Sequence, residues 1–212
     1  MDLQELKSNA IERRNFLAPS LKFDDQKFEF VFVLDRSGSM QGDKIMLASR
    51  ALVLFLRSLP STCIFNVIGF GSGYEKLHPT SVHYSQNSLE QATKYAQGMS
   101  ANLGGTSLIP PLQAIYGSSQ APGFLTQIFV LTDGHNAEGA QAVVNLIRNN
   151  KPFARVFSLG IGSGASVALV NGIATEGGGV AEFVTSNEKI ETKVLDQLKI
   201  ALKPSLLKAI PV

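Results

Sequence analysis

The chain has 212 residues, of which 44% are hydrophobic and 17% charged. That is a globular composition and the length of one domain with a sizeable core. Nineteen Lys and Arg against 17 Asp and Glu leave a net charge of only +2, and the longest basic run is Arg13-Arg14. A basic nucleic-acid footprint is therefore not expected. Cys63 is the sole cysteine, so no intrachain disulfide marks an oxidising compartment. The first fourteen residues are polar, without the apolar centre of a secretory signal, and no apolar run reaches membrane-spanning length. A cytoplasmic protein that does not engage the membrane is expected.

Residues 1–27 form a less regular arm, in which Leu3, Leu6, Ala10 and Ile11 could line one face of a short helix. From Phe28 onward strand and helix signals alternate. Phe30-Val31-Phe32-Val33-Leu34 is a continuous apolar run of the kind found in strands covered on both faces, and it ends at Asp35. Ile45, Ala48, Leu52, Phe55 and Leu59 recur at helical spacing before Pro60. Cys63 to Phe70 reads as a second strand, and Ser81 to Tyr84 as a short edge strand. Leu89, Ala92, Ala96 and Met99 mark a helix, and Leu108 to Tyr116 another. Ile128 to Leu131 reads as a buried strand ending at Thr132-Asp133, followed by a helix with Val143, Leu146 and Ile147 inward. Val156–Ile161 and Val180–Val184 read as strands, and Val167–Ala174 as a helix between them. Ile190, Val194, Leu198 and Ala201 give a closing helix that stops near Pro204, leaving residues 204–212 as a tail. The pattern predicts a doubly wound α/β domain over residues 28–203, with a mostly parallel sheet and helices on both faces. Ligands of such sheets bind beyond the carboxyl ends of the strands.

Two strand runs end in aspartate, at Asp35 and at Asp133. Asp35 opens the string Asp35-Arg36-Ser37-Gly38-Ser39, and a third loop carries Gly104-Gly105-Thr106-Ser107. Together they offer two carboxylates and three hydroxyls on loops that the fold could bring to one edge. A hard divalent cation such as Mg²⁺ takes six oxygens at about 2.0–2.1 Å. Alternation in Asp35-x-Ser37-x-Ser39 lets a tight loop turn its side chains toward one centre. Only two carboxylates would balance the dication, so it stays electrophilic and should attract an outside carboxylate. Each element alone has a plainer reading, Asp133 as a helix N-cap and Gly104-Gly105 as a turn.

The conjunction resembles the von Willebrand factor A family. Asp35-Arg36-Ser37-Gly38-Ser39 matches its Asp-x-Ser-x-Ser string, Thr106 its isolated threonine, and Thr132-Asp133-Gly134 its second aspartate. The resemblance covers about residues 28–203. It implies a metal-ion-dependent adhesion site for Mg²⁺, with Mn²⁺ as a substitute, held by Asp35, Ser37, Ser39, Thr106 and Asp133. The hydroxyls would ligate directly or nearly so, and the carboxylates directly or through water. Stretches such as FEFVFVLDRSGSM and FNVIGFGSGYEKLHP look like the intracellular members that carry a VIT domain beside the A domain. That group includes the von Willebrand factor A domain-containing protein 5-like proteins and vault poly(ADP-ribose) polymerase. Met40-Gln41 follow the string where integrin-type members often have further acidic residues, so a second adjacent metal site is not expected.

Other signals read more plainly. Gly160-Ile161-Gly162-Ser163-Gly164 is taken as a strand-to-helix turn in preference to a dinucleotide loop. Ser37, Asp133 and His135 do not make a hydrolase, because Ser37 is not in a nucleophile elbow and the other two are sequence neighbours. His78 and His83 lack zinc spacing, Cys63 reads as a buried thiol, and Gly71–Gly73 and Gly177–Gly179 as turns. No nucleophile–base pair or phosphate loop appears. The expectation is a non-enzymatic module whose metal takes an exposed Asp or Glu of a partner protein, with Arg36, Met40, Gly73, Ser107 and His135 around it setting specificity. A metal-dependent phosphohydrolase or nucleotide-using enzyme is the alternative. Both site carboxylates are expected on loops beyond the sheet, outside its core.

Overall fold

A computed structural model describes residues 26–135, 138–185 and 188–203. The arm expected over residues 1–27 and the tail over 204–212 lie outside these, apart from the first residues of the opening strand. In chain order the elements are β1 (Lys27–Asp35), α1 (Asp43–Arg57), β2 (Ile64–Phe70), β3 (Tyr74–Lys76), β4 (Val82–His83), α2 (Gln86–Gln97) and α3 (Ile109–Tyr116). They continue with β5 (Phe124–Thr132), α4 (Ala140–Asn149), β6 (Ala154–Ile161), α5 (Val167–Gly177), β7 (Gly178–Val184) and α6 (Ile190–Ala201).

The sheet runs in the order β3-β2-β1-β5-β6-β7, with β4 also paired to β2. All pairs among β2, β1, β5, β6 and β7 are parallel, while β3 and β4 run antiparallel to β2. Side chains alternate across a strand, and β1 shows the consequence. Phe28, Phe30, Phe32 and Leu34 pack into one core with α1, α2 and α6. Val31 and Val33 enter a second core with α3, α4 and α5. The sheet is therefore covered on both faces, which is why its central strands are continuously apolar instead of alternating. The first core is aromatic. Phe129 stacks on Phe157 with centroids 4.8 Å apart, and Phe55 lies 4.8 Å from Phe129 in a tilted contact.

The doubly wound α/β fold read from the sequence is the fold observed. One local reading changes. β3 was not expected, because Tyr74, Glu75 and Lys76 are all exposed and give no apolar signal; they are a strand only because β2 offers an edge. Gly177–Gly179 is the expected turn in its tightest form, since α5 ends at Gly177 and a left-handed Gly178 leads directly into β7. Among the described residues no helix is long and apolar enough to cross a membrane.

What positions a site here is the winding. The chain passes from β1 to β2 on one side of β1, then returns to place β5 on its other side. The helices after β1 and β5, α1 and α4, pack on opposite faces. Their connecting loops diverge between β1 and β5, leaving a crevice at the carboxyl end of those two strands.

Two expected outcomes follow from the core. Phe129→Ala should cost about 3–5 kcal/mol of unfolding free energy in denaturant titration, as other buried aromatic truncations do. Cys63 is fully buried, and burial pushes its thiol up to about 12. A thiol reagent at pH 8 should therefore leave the native chain almost unlabelled and modify one thiol per chain in denaturant.

Candidate metal centre

The register of β1 against β5 aligns Leu34 with Leu131, so Asp35 and Thr132 are next-door neighbours at the strand ends. The Thr132 hydroxyl donates to Asp35 Oδ2 at 2.6 Å, and the Ser37 backbone N–H donates to Asp35 Oδ1 at 2.9 Å. Asp133 follows directly. Its Oδ1 accepts from the His135 backbone N–H at 3.2 Å and lies 3.1 Å from His135 Nδ1, and its Oδ2 accepts from the Lys44 ammonium at 2.8 Å. Both carboxylates have no solvent exposure. This corrects their expected placement, because Asp35 is the last residue of β1 itself and the loops close over both groups.

The string after Asp35 turns as expected. Gly38–Met40 is a single 3₁₀ turn, and Ser37 Oγ and Ser39 Oγ lie 3.0 Å apart, so alternate residues do face one place. Ser37 is buried and Ser39 is exposed. The third loop docks on this string through two backbone bonds, Gly38 N–H to the Gly104 carbonyl at 2.7 Å and Leu103 N–H to the Arg36 carbonyl at 3.0 Å. Thr106, half-buried, sits two residues beyond Gly104. Its neighbour Ser107 donates to Glu138 Oε1, and the other oxygen of Glu138 accepts from Leu108 N–H at 3.2 Å. The threonine loop is thereby tied to the segment that follows Asp133. Gly134 makes that segment possible. It has φ +79°, and a Cβ there would lie 2.5 Å from the Ser166 side chain.

Charge is unevenly distributed. Burial pushes the Asp35 carboxyl above its usual range, against the hydrogen bonds from Ser37 and Thr132, and the nearby Asp133 charge adds to the rise. Burial also disfavours the Asp133 charge, yet donation from Lys44, His135 and Ser39 outweighs it and holds this carboxyl low.

Sequence reasoning missed Lys44, Thr132 as a donor, and Glu138. Lys44 gives no local signal, being 89 residues from Asp133. It also misplaced two residues of the expected rim, since Arg36 is 7% exposed and Met40 fully buried. Met40 belongs to the first core. Arg36 is a clasp instead. Its guanidinium donates to Glu75, to the Tyr95 hydroxyl at 3.1 Å, to Asn102 Oδ1 at 2.6 Å and to the Ser100 carbonyl at 3.0 Å. It fixes the Asp35 string to β3, to α2 and to the threonine loop. Gly73 and His135 are exposed and Ser107 half-buried, and Met46, Tyr74 and Val167 add exposed apolar surface. Ser37 Oγ pairs with Ser39 Oγ, not with the His135 ring.

The donor set suits a hard cation. It consists of oxygens, and among the described residues no cluster of three or more His, Cys, Asp or Glu forms a softer or more anionic site. The Thr106 hydroxyl makes no hydrogen bond among the described residues, so its lone pairs are uncommitted, and the donors on Asp35 are all neutral groups of Ser37 and Thr132.

The two carboxylates should respond oppositely to neutralisation. In chelator, Asp35→Asn should match or exceed the parent in thermal stability, because a desolvated charge is lost. The gain should grow as pH rises, since a raised native pKa disfavours the folded state increasingly above the unfolded value. Asp133→Asn should be less stable than the parent, because Lys44 loses its carboxylate. Melting curves in chelator at pH 5 and pH 8 check both signs.

Comparison with known proteins identifies the family and the fold. Residues 28–183 match the family model for the von Willebrand factor type A domain. Von Willebrand factor A domain-containing protein 5A of Rattus norvegicus is 43% identical over 187 residues, covering 84% of this chain and 23% of the rat protein. The chain thus spans about a quarter of the length of that relative. Among solved structures, an aerotolerance-related membrane protein from Bacteroides fragilis superposes with a TM-score of 0.69 at 19% identity, over 82% of this chain and 98% of that one. Proximal thread matrix protein 1 from the mussel byssus, solved with its metal-ion-dependent adhesion motif occupied by zinc, gives 0.67 at 20% identity, over 84% of this chain and 48% of that one. With a family model that spans most of the domain and a relative at this identity, the chain belongs to the von Willebrand factor type A domain family.

Proposed function

We propose that this domain binds a partner protein through a divalent cation, Mg²⁺ in the first instance and Mn²⁺ as a substitute, held by Asp35, Ser37, Ser39, Thr106 and Asp133. One observation carries the proposal. Three loops far apart in sequence converge at the β1–β5 crevice and bring two buried carboxylates beside a pair of hydroxyls 3.0 Å apart. The zinc-occupied motif of the mussel byssus protein, on the same fold, supports reading that convergence as a metal centre.

The cation supplies an electrophilic position. Three hydroxyls and two carboxylates do not saturate an octahedral dication, and an Asp or Glu from outside contributes both an oxygen and a negative charge. The chain's own residues prepare that contact. Thr132 and Ser37 orient Asp35, Arg36 locks the threonine loop to the string, and Met46, Val167 and His135, on loops and first turns that leave this edge, stand exposed with Tyr74 at the start of β3. The partner therefore meets a mixed apolar and polar rim, and neither Arg36 nor Met40 touches it.

The module acts without turnover of its own. Its two serine hydroxyls pair with each other instead of with a base, and the histidine beside them is held by Asp133. Calorimetry should show one Mg²⁺ per chain, with affinity reduced at least about tenfold in Thr106→Ala. Capture of acidic partners should vanish in chelator and return with Mg²⁺. Capture unchanged in both chelator and Thr106→Ala would place recognition on another face. Release of phosphate from nucleotides or phosphate esters, dependent on metal and lost in Ser37→Ala, would make the domain an enzyme.

A further inference from the structure

Asp133 is more heavily engaged than a metal ligand needs to be. Its carboxylate receives the Lys44 ammonium, the His135 backbone N–H and the His135 ring, with the Ser39 hydroxyl close enough to help hold its charge. A carboxylate offers about four acceptor positions, so Asp133 has almost none to spare. Asp35 is engaged only by neutral donors, the Thr132 hydroxyl and the backbone N–H and hydroxyl of Ser37.

Lys44 is built into this place and is no chance surface contact. It sits in the first turn of α1, five residues after Ser39, and its Nζ also donates to the Ser39 carbonyl at 3.1 Å. Its side chain is only 30% exposed. The stem lies along Gly162, where a Cβ would stand 3.3 Å from Lys44 Cε, so the glycine after β6 leaves the lysine its channel. The ammonium thus touches the backbone of one proposed ligand and the carboxylate of another.

We propose that Lys44 is a resident counter-cation that competes with the divalent ion for Asp133. The inference rests on the metal-binding reading above. In the metal-free chain Lys44 neutralises a buried aspartate. When the cation binds, Lys44 keeps that aspartate's charge from being spent on the metal, and a second positive charge stays at the site. Metal affinity is lowered as a result, and the attraction of the loaded site for an anion is raised. Lys44 is a positioning residue, acting through Asp133.

The test is Mg²⁺ calorimetry together with melting curves in chelator, on the parent chain, Lys44→Met, Lys44→Gln and Lys44→Arg. Lys44→Met keeps the stem and removes the charge. It should bind Mg²⁺ about tenfold more tightly than the parent, melt at lower temperature in chelator, and show a larger rise in melting temperature on adding Mg²⁺. Lys44→Gln should shift the same way by less, and its neutral donor preserves the fold should the methionine variant lose it. Lys44→Arg should stay near the parent. Equal or weaker Mg²⁺ binding in the neutral variants, with cooperative melting retained, would overturn the role of Lys44 and leave the metal site standing. Absence of Mg²⁺ binding in the parent and all variants would overturn both.

Discussion

The site depends first on one hydrogen bond, from the Thr132 hydroxyl to Asp35 Oδ2 at 2.6 Å. It joins the last residues of two parallel strands whose chain segments lie almost a hundred residues apart, and it fixes the edge from which every loop departs. A one-residue slip between β1 and β5 would send every side chain of one strand to the opposite face. Phe30, Phe32, Phe129 and Phe157 forbid that slip, because they fill one core while Val31, Val33, Ile128 and Val130 fill the other. The packing of a two-faced sheet therefore sets the distance between two carboxylates. The fold's energetic investment lies in the strands, and its chemical result appears at their ends.

Around that edge the loops hold one another by backbone and side chain together. Gly38 bonds Gly104, Leu103 bonds Arg36, and Ser166 N–H bonds the Asp133 carbonyl at 3.1 Å. Three long side chains, Arg36, Lys44 and Glu138, act as struts. Arg36 ties the string to the threonine loop from beneath, and Lys44 reaches from α1 across to Asp133. Such cross-bracing suits a site whose ligands must be held in place before a cation arrives, because ordering them afterwards would subtract from binding. It also splits the electrostatic labour. One carboxylate is strained by burial and the other is relieved by a neighbouring ammonium, so the site is asymmetric before any metal binds.

Much of this was legible in the sequence. Continuous apolar runs marked the doubly covered strands, helical spacing marked α1 and α6, and the Asp-x-Ser-x-Ser string with Thr106 and Asp133 pointed to one edge. The illegible parts share a physical cause. β3 has no apolar face and exists by pairing with β2. Lys44 reads as an ordinary polar residue on an amphipathic helix, and its partner is specified only by how α1 packs beside the crevice. Arg36 and Met40 flank the ligand string and look like rim residues, yet the tight 3₁₀ turn after Ser37 buries Met40 and the clasp buries Arg36. Sequence proximity to a site predicts membership of its loop; whether a side chain faces solvent or core is decided by the turn.

The central claim is that one divalent cation sits at the β1–β5 crevice among these five residues. Its most direct test is paramagnetic broadening by Mn²⁺ in the amide spectrum of the chain, titrated at substoichiometric metal and reversed by excess Mg²⁺. The account predicts selective loss of signals from residues 35–40, 104–107 and 133–135 and their immediate neighbours, with the far ends of the strands, near Lys27 and Phe124, unaffected. Broadening centred elsewhere, or spread evenly over the exposed acidic residues, would contradict it.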